Sequence, residues 1–149
     1  MKKVVLMIFM CLIFVGCKNN KIDINLNDEL KASENELICI RQDEKRVEKI
    51  VLTFMEDKIT NMTSIDKFYI SNDIDRQFKN IEIYVNAIKE KYNSVYASAS
   101  KDGNIISREI SYEISKMPEE FLKENGDILK KTKSEYKKSA EKSGAICSE

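Results

Sequence analysis

Residues 36–55 read ELICIRQDEKRVEKIVLTFM, and this stretch decides the fold. Apolar and polar positions alternate on either side of a polar break, Asp43-Glu44-Lys45-Arg46. In the second half Ile50, Leu52 and Phe54 fall on one face, while Val51, Thr53 and Met55 fall on the other. A period of two with a turn in the middle predicts a β-hairpin.

Working outward, a second break at Glu56-Asp57-Lys58 leads into KITNMTSIDKFYI, whose Ile, Thr, Phe and Tyr content predicts a third antiparallel strand with a bend partway along it. Ser71-Asn72-Asp73 then supplies helix N-cap candidates. Ile74, Phe78, Ile81, Val85, Ile88 and Tyr92 follow at spacings of four and three, the stripe of one long amphipathic helix. After it, SVYASAS and IISREISYEI flank Lys101-Asp102-Gly103-Asn104, a second hairpin whose glycine can take the positive φ of a tight turn. Ile106, Ile110, Tyr112 and Ile114 share one face of its return strand, interrupted by Arg108. Pro118 opens a short helix, PEEFLKEN, expected to stop at Gly126, and another helix over 134–142 is expected to stop at Gly144. Ala145-Ile146-Cys147 would return to the sheet beside Cys39. The expected fold class is α+β: an antiparallel, hairpin-rich sheet of about five to six strands, with the long helix and the shorter C-terminal helices packed on one face.

The opposite direction reaches MKKVVLMIFMCLIFVGCKNN. Lys2 and Lys3 precede twelve apolar residues, Val4 to Val15, and then the small residue Gly16, the layout of an export signal. A membrane-spanning helix needs about twenty apolar residues to cross about 30 Å of hydrocarbon, so this run is too short for a comfortable permanent anchor. Phe14-Val15-Gly16-Cys17 resembles the lipobox of bacterial lipoproteins, with Phe14 where that family favours leucine. The resemblance implies a diacylglyceryl group on the Cys17 thiol and cleavage before it. Residues 1–16 are therefore expected to be a lipoprotein signal peptide, 17–35 a lipidated N-terminus and flexible tether, and 36–149 a single α+β domain. Within the tether Ile22, Ile24 and Leu26 alternate, which also suits a short strand, but the flanking Asn, Asp and Lys favour the tether.

Without residues 1–16 the chain has 133 residues, with 23 basic against 25 acidic side chains interspersed along it. No basic face stands out, so a nucleic-acid partner is not expected. Of the four cysteines, Cys11 leaves with the signal and Cys17 takes the lipid. Cys39 and Cys147 then remain in a compartment where a disulfide can persist; two buried thiols are the alternative.

The chain further resembles the YehR-like family of small bacterial lipoproteins. The likeness rests on Cys17, the early strand with Cys39, the order of strands around one long helix, Ser-Tyr-Glu-Ile-Ser-Lys-Met at 111–117, and the terminal Ser143-Gly144-Ala145-Ile146-Cys147. It implies a compact α+β domain and brings no biochemical activity with it.

Catalytic equipment is sparse. The chain has no histidine, the commonest general base near neutral pH and the commonest zinc ligand. Glu119 with Glu120, and Asp73 with Asp75, are carboxylate pairs, but 25 acidic residues produce such pairs by chance and a solvated surface is the expectation. Asp102-Gly103-Asn104 is too short for a calcium loop, no glycine-rich phosphate loop occurs, and the cysteines are not CxxC. Asn61-Met62-Thr63 matches a glycosylation sequon by chance under a bacterial lipobox. Tyr69, Tyr84, Tyr96 and Tyr112 could contact a partner, though core-edge packing is the expected role. The functional expectation is a non-enzymatic binding module for a protein or small molecule, without metal or cofactor. It would face the extracytoplasmic side of the bacterial cell membrane or outer membrane, anchored through lipid on Cys17. A structural lipoprotein supporting envelope integrity is the alternative.

Overall fold

A computed structural model describes residue 22 and residues 24–148; Cys17 and the expected signal lie outside them. In chain order the elements are α1 (Leu26–Glu29), β1 (Glu36–Gln42), β2 (Arg46–Met55), β3 (Lys58–Tyr69), α2 (Ile74–Lys91), β4 (Val95–Asp102), β5 (Ile105–Glu113), α3 (Glu119–Glu124), α4 (Gly126–Leu129), α5 (Lys133–Lys142) and β6 (Ile146–Cys147). The six strands form one sheet in the order β4-β5-β3-β2-β1-β6, every neighbouring pair antiparallel. Among the described residues only α2 is a long helix; the fold is the expected α+β class.

Local chemistry fixes the hairpins. Between β1 and β2 the Asp43 carboxylate accepts the backbone N–H groups of Lys45 and Arg46, both at 2.8 Å, an aspartate turn that reverses the chain. Along β2 and β3, Thr53 faces Asn61 but Phe54 faces Ile59, so Thr60 is an extra residue and β3 bulges there. The Thr60 hydroxyl donates to the Thr53 carbonyl at 3.2 Å. This bulge is the bend expected in the third strand. In the β4–β5 hairpin Gly103 has φ of 53° at the first position of a two-residue loop, where a primed turn demands it.

The main core lies on the sheet face under α2 and α3–α5. Leu37, Leu52, Met62, Tyr112 and Val95 form one rung across β1, β2, β3, β5 and β4, all buried. Val85, Ile88 and Tyr92 of the α2 stripe pack onto it, whereas Ile74, Phe78 and Ile81 are only half-buried. Phe121 is fully buried between two rings, stacked on Tyr112 at 5.1 Å and edge-on to Tyr92 at 5.6 Å. Fully burying such a side chain is worth about 1.5–3 kcal/mol. α5 begins at a capping box of Thr132 and Glu135. It ends in a Schellman arrangement: the Gly144 N–H donates to the Glu141 carbonyl, the Ala145 N–H to that of Ala140, and Gly144 has φ of 87°.

Two local expectations change. The described part of the tether, from Ile22, is packed: Ile22, Ile24, Leu26, Leu30 and Ala32 cover Ile38, Ile40, Val47 and Val51 on the second face of the sheet. The Gln42 amide donates to the Ile22 carbonyl at 2.6 Å, and Lys49 pairs with Glu29 at 2.7 Å. The reason is that strand positions opposite the main core are themselves apolar here and need a cover. The second change concerns Gly126, which opens α4 rather than ending the helical run. Asn125 is buried between α3 and α4, its Nδ2 donating to the Phe121 carbonyl at 2.9 Å.

Candidate functional site

Each central strand changes character along the helix-covered face. β2 runs Phe54, Leu52, Ile50 and then Glu48 and Arg46; β3 runs Met62, Ser64, Asp66; β5 runs Tyr112, Ile110, Arg108. Register aligns these changes. Arg41, Glu48, Asp66 and Arg108 stand opposite one another in turn, a charged rung spanning β1, β2, β3 and β5. One rung away stand Cys39, Ile50, Ser64 and Ile110.

Two facing carboxylates would repel each other, and the arginines prevent this. Arg41 Nη2 donates to Glu48 at 2.7 Å. Arg46 bridges the pair, reaching Asp66 at 2.7 Å and Glu48 at 3.3 Å. Arg108 donates to the other Asp66 oxygen. Asp66 has no exposed surface and Glu48 almost none. Burial alone would lower the Arg46 pKa, but the hydrogen bond and charge of Asp66 outweigh it and the guanidinium is held more firmly protonated. Arg46 also lies over the Phe68 ring at 5.3 Å, and Arg108 over the Tyr84 ring at 5.2 Å.

Above these two rungs the helices leave a cavity of about 210 Å³. Its floor holds Cys39, Ile50, Met62, Ile110 and Tyr112, with Arg41, Glu48 and Arg108 at the charged end. Tyr84 of α2 closes one side; Ile128, Lys131, Tyr136 and Ala140 from the C-terminal helices and their connection close the other. Burial pushes the Tyr136 hydroxyl up to about 12, with the Glu48 charge acting in the same direction, and burial raises that of Tyr112 further. Lys131 donates to the Ser139 hydroxyl at 3.1 Å. An apolar chamber with convergent polar groups at one end is the usual make-up of a small-molecule site.

Of the residues singled out in the sequence, Cys39 and Cys147 are bonded to each other, S–S 2.05 Å, and Cys39 lines the cavity. Tyr84 and Tyr112 also line it, but Tyr69 packs toward the second face and Tyr96 is exposed on β4, so the four tyrosines share no surface. Glu119 and Glu120 are exposed; Asp73 pairs with Arg76 at 2.7 Å and Asp75 with Lys101. Sequence reading missed Glu48 and Asp66. The available signal was that both fall in phase with the apolar positions of their strands, as Arg108 does. Among the described residues no group of His, Cys, Asp and Glu is arranged to hold a metal, and no helix is long and apolar enough to cross a membrane.

No protein-family model and no curated protein matches the chain. Among solved structures, an NMR structure of a protein from Streptococcus pneumoniae TIGR4 is similar, with a TM-score of 0.52 and 13% identity over 93% of this chain and 98% of that one. At this identity the likeness concerns the fold alone.

Proposed function

We propose that the chain is a YehR-like exported lipoprotein, anchored by acyl chains on Cys17 to the cell membrane or outer membrane of a bacterium, whose domain binds a small molecule without transforming it. The cavity between the sheet and α2, α4 and α5 carries this reading, because it combines apolar walls with charged groups gathered at one end. Both buried carboxylates are committed to arginines, which suits holding a ligand better than acid–base work on one. A disulfide of this kind suits an oxidising compartment outside the cytosol. Two acyl chains give stable membrane attachment, since each buried CH₂ contributes about 0.8 kcal/mol.

Native mass spectrometry of the full chain purified from bacterial membranes tests the binding reading. A non-covalent small molecule should accompany wild type and be lost from Ala140→Trp, which fills the cavity; adducts equal in both proteins, or none in either, would reject it. Metabolic labelling with an acyl-chain probe tests the anchor, and label persisting in Cys17→Ala would reject that site.

A further inference from the structure

The geometry points to a small apolar carboxylate as the ligand of the cavity: an aryl- or short alkyl-chain acid held by Arg108 at its head and by Met62, Ile110 and Tyr112 along its body, with Lys131 on the cavity wall as a further cation. This deepens the binding reading above and rests on it. Size comes first. A chamber of about 210 Å³ is below the usual range of about 300–1,000 Å³ for drug-sized ligands and above the roughly 150 Å³ that accommodates benzene. One ring with a short polar arm fits that window.

Charge decides the head group. The cavity lining holds three cationic side chains, Arg41, Arg108 and Lys131, against one carboxylate, Glu48. Including Arg46 and Asp66 behind the lining, cations still exceed anions by two. An ammonium ligand would therefore meet net repulsion in the cavity, and an uncharged one would leave the excess uncompensated. Arg108 adds a local reason. One Nη donates to Asp66, but its Nε is buried with no hydrogen-bond partner among the described residues. The Nε is shut off from the cavity, but the Arg108 side chain lines it with about one-fifth of its surface exposed, and a carboxylate oxygen entering there is an acceptor of suitable charge for the guanidinium. Lys131 donates to a neutral hydroxyl, Ser139, which an anionic oxygen would outcompete.

Carbon-13 methyl-methionine NMR of the full chain in zwitterionic nanodiscs reads the cavity through Met62. The probes are 3-phenylpropionate, 3-phenylpropan-1-ol and 3-phenylpropylammonium, alike in body and different in head. The carboxylate should shift the Met62 methyl with at least about tenfold higher affinity than the alcohol, a difference expected for one charge-assisted contact, and the ammonium should bind least. In Lys131→Met and Arg108→Gln the preference for carboxylate over alcohol should fall to about threefold or less. Lys131→Met keeps the test valid if the Arg108 variant fails to fold. Equal affinity for carboxylate and alcohol, or tighter ammonium binding, would overturn the carboxylate assignment while leaving a binding cavity in place. No response to any probe would overturn both.

Discussion

Cys147 stands directly opposite Cys39 in the register of β6 and β1, and their disulfide closes a separation of 108 positions. β6 has only two residues, so its place at the sheet edge depends on few backbone bonds, among them Ser148 N–H to the Ile38 carbonyl at 2.7 Å. The chain-entropy account of so long a loop gives about 4–5 kcal/mol, and measured losses for small exported domains are about 2–5 kcal/mol. The double variant Cys39→Ala, Cys147→Ala is expected to lower the thermal midpoint by about 10 °C. Calorimetry of both proteins, with wild type repeated in reductant, checks this. A variant as stable as wild type would mean that the α5 packing alone holds the edge.

Asp66 should be the most sensitive polar position. It is fully buried between Arg46 and Arg108, whose side chains are about one-fifth exposed and can recover some hydration. Asp66→Asn removes the charge that both arginines face, and a loss of about 3 kcal/mol is expected, at the lower end for a broken buried pair. Replacing the unit together, Arg46→Met, Asp66→Leu and Arg108→Met, should lose less than Asp66→Asn alone, since no charge is then left unpaired. Urea unfolding of the two variants decides the order.

The contrast between what was legible and what was not has a physical origin. β1 was readable to its ends because period two and a polar turn are local properties of Glu36–Gln42 and its neighbours, and the α2 stripe is equally local. The charged rung was not readable, because Glu48, Asp66 and Arg108 meet only once the register of three strands is set, over 60 positions of sequence. Arg108 stood out on an apolar face; Glu48 and Asp66 share the apolar phase of their own strands, but nothing local says that the three meet. The tether failed for a related reason. Ile22 and Ile24 are sparse among Asn, Asp and Lys, and the apolar surface they cover belongs to β1 and β2.

The β2–β3 turn offers a stabilising change. Glu56 and Asp57 form a two-residue loop and both have positive φ, 49° and 60°. A left-handed conformation costs an ordinary L-residue about 1–2 kcal/mol, and asparagine and glycine adopt it more readily. Both side chains are exposed, so replacement sacrifices no packing. Glu56→Asn with Asp57→Gly is expected to raise stability by about 1 kcal/mol in urea unfolding, with an unchanged m-value.

Stability should be flat across neutral pH and fall at both extremes. No histidine is present, so no side chain of ordinary pKa between about 5 and 8 changes charge there. On the acid side, a hydrogen bond from Lys49 holds Glu29 below the usual 4.5, and one from the Ser33 hydroxyl does so for Glu36. The unfolded chain then takes up protons more readily, so the stabilisation is complete above 4.5 and is lost as pH falls through the lowered folded values. On the alkaline side the sign reverses. Burial raises Tyr136 from 10.0 to about 12, so the folded chain keeps a proton that the unfolded chain releases, and stability declines as pH rises between those values. Urea midpoints at intervals from about pH 3 to 11 should trace a plateau with two shoulders. Glu36→Gln should make the acid shoulder shallower and Tyr136→Phe the alkaline one; a Tyr136→Phe profile that superimposes on wild type above pH 10 would show that another group sets that limb.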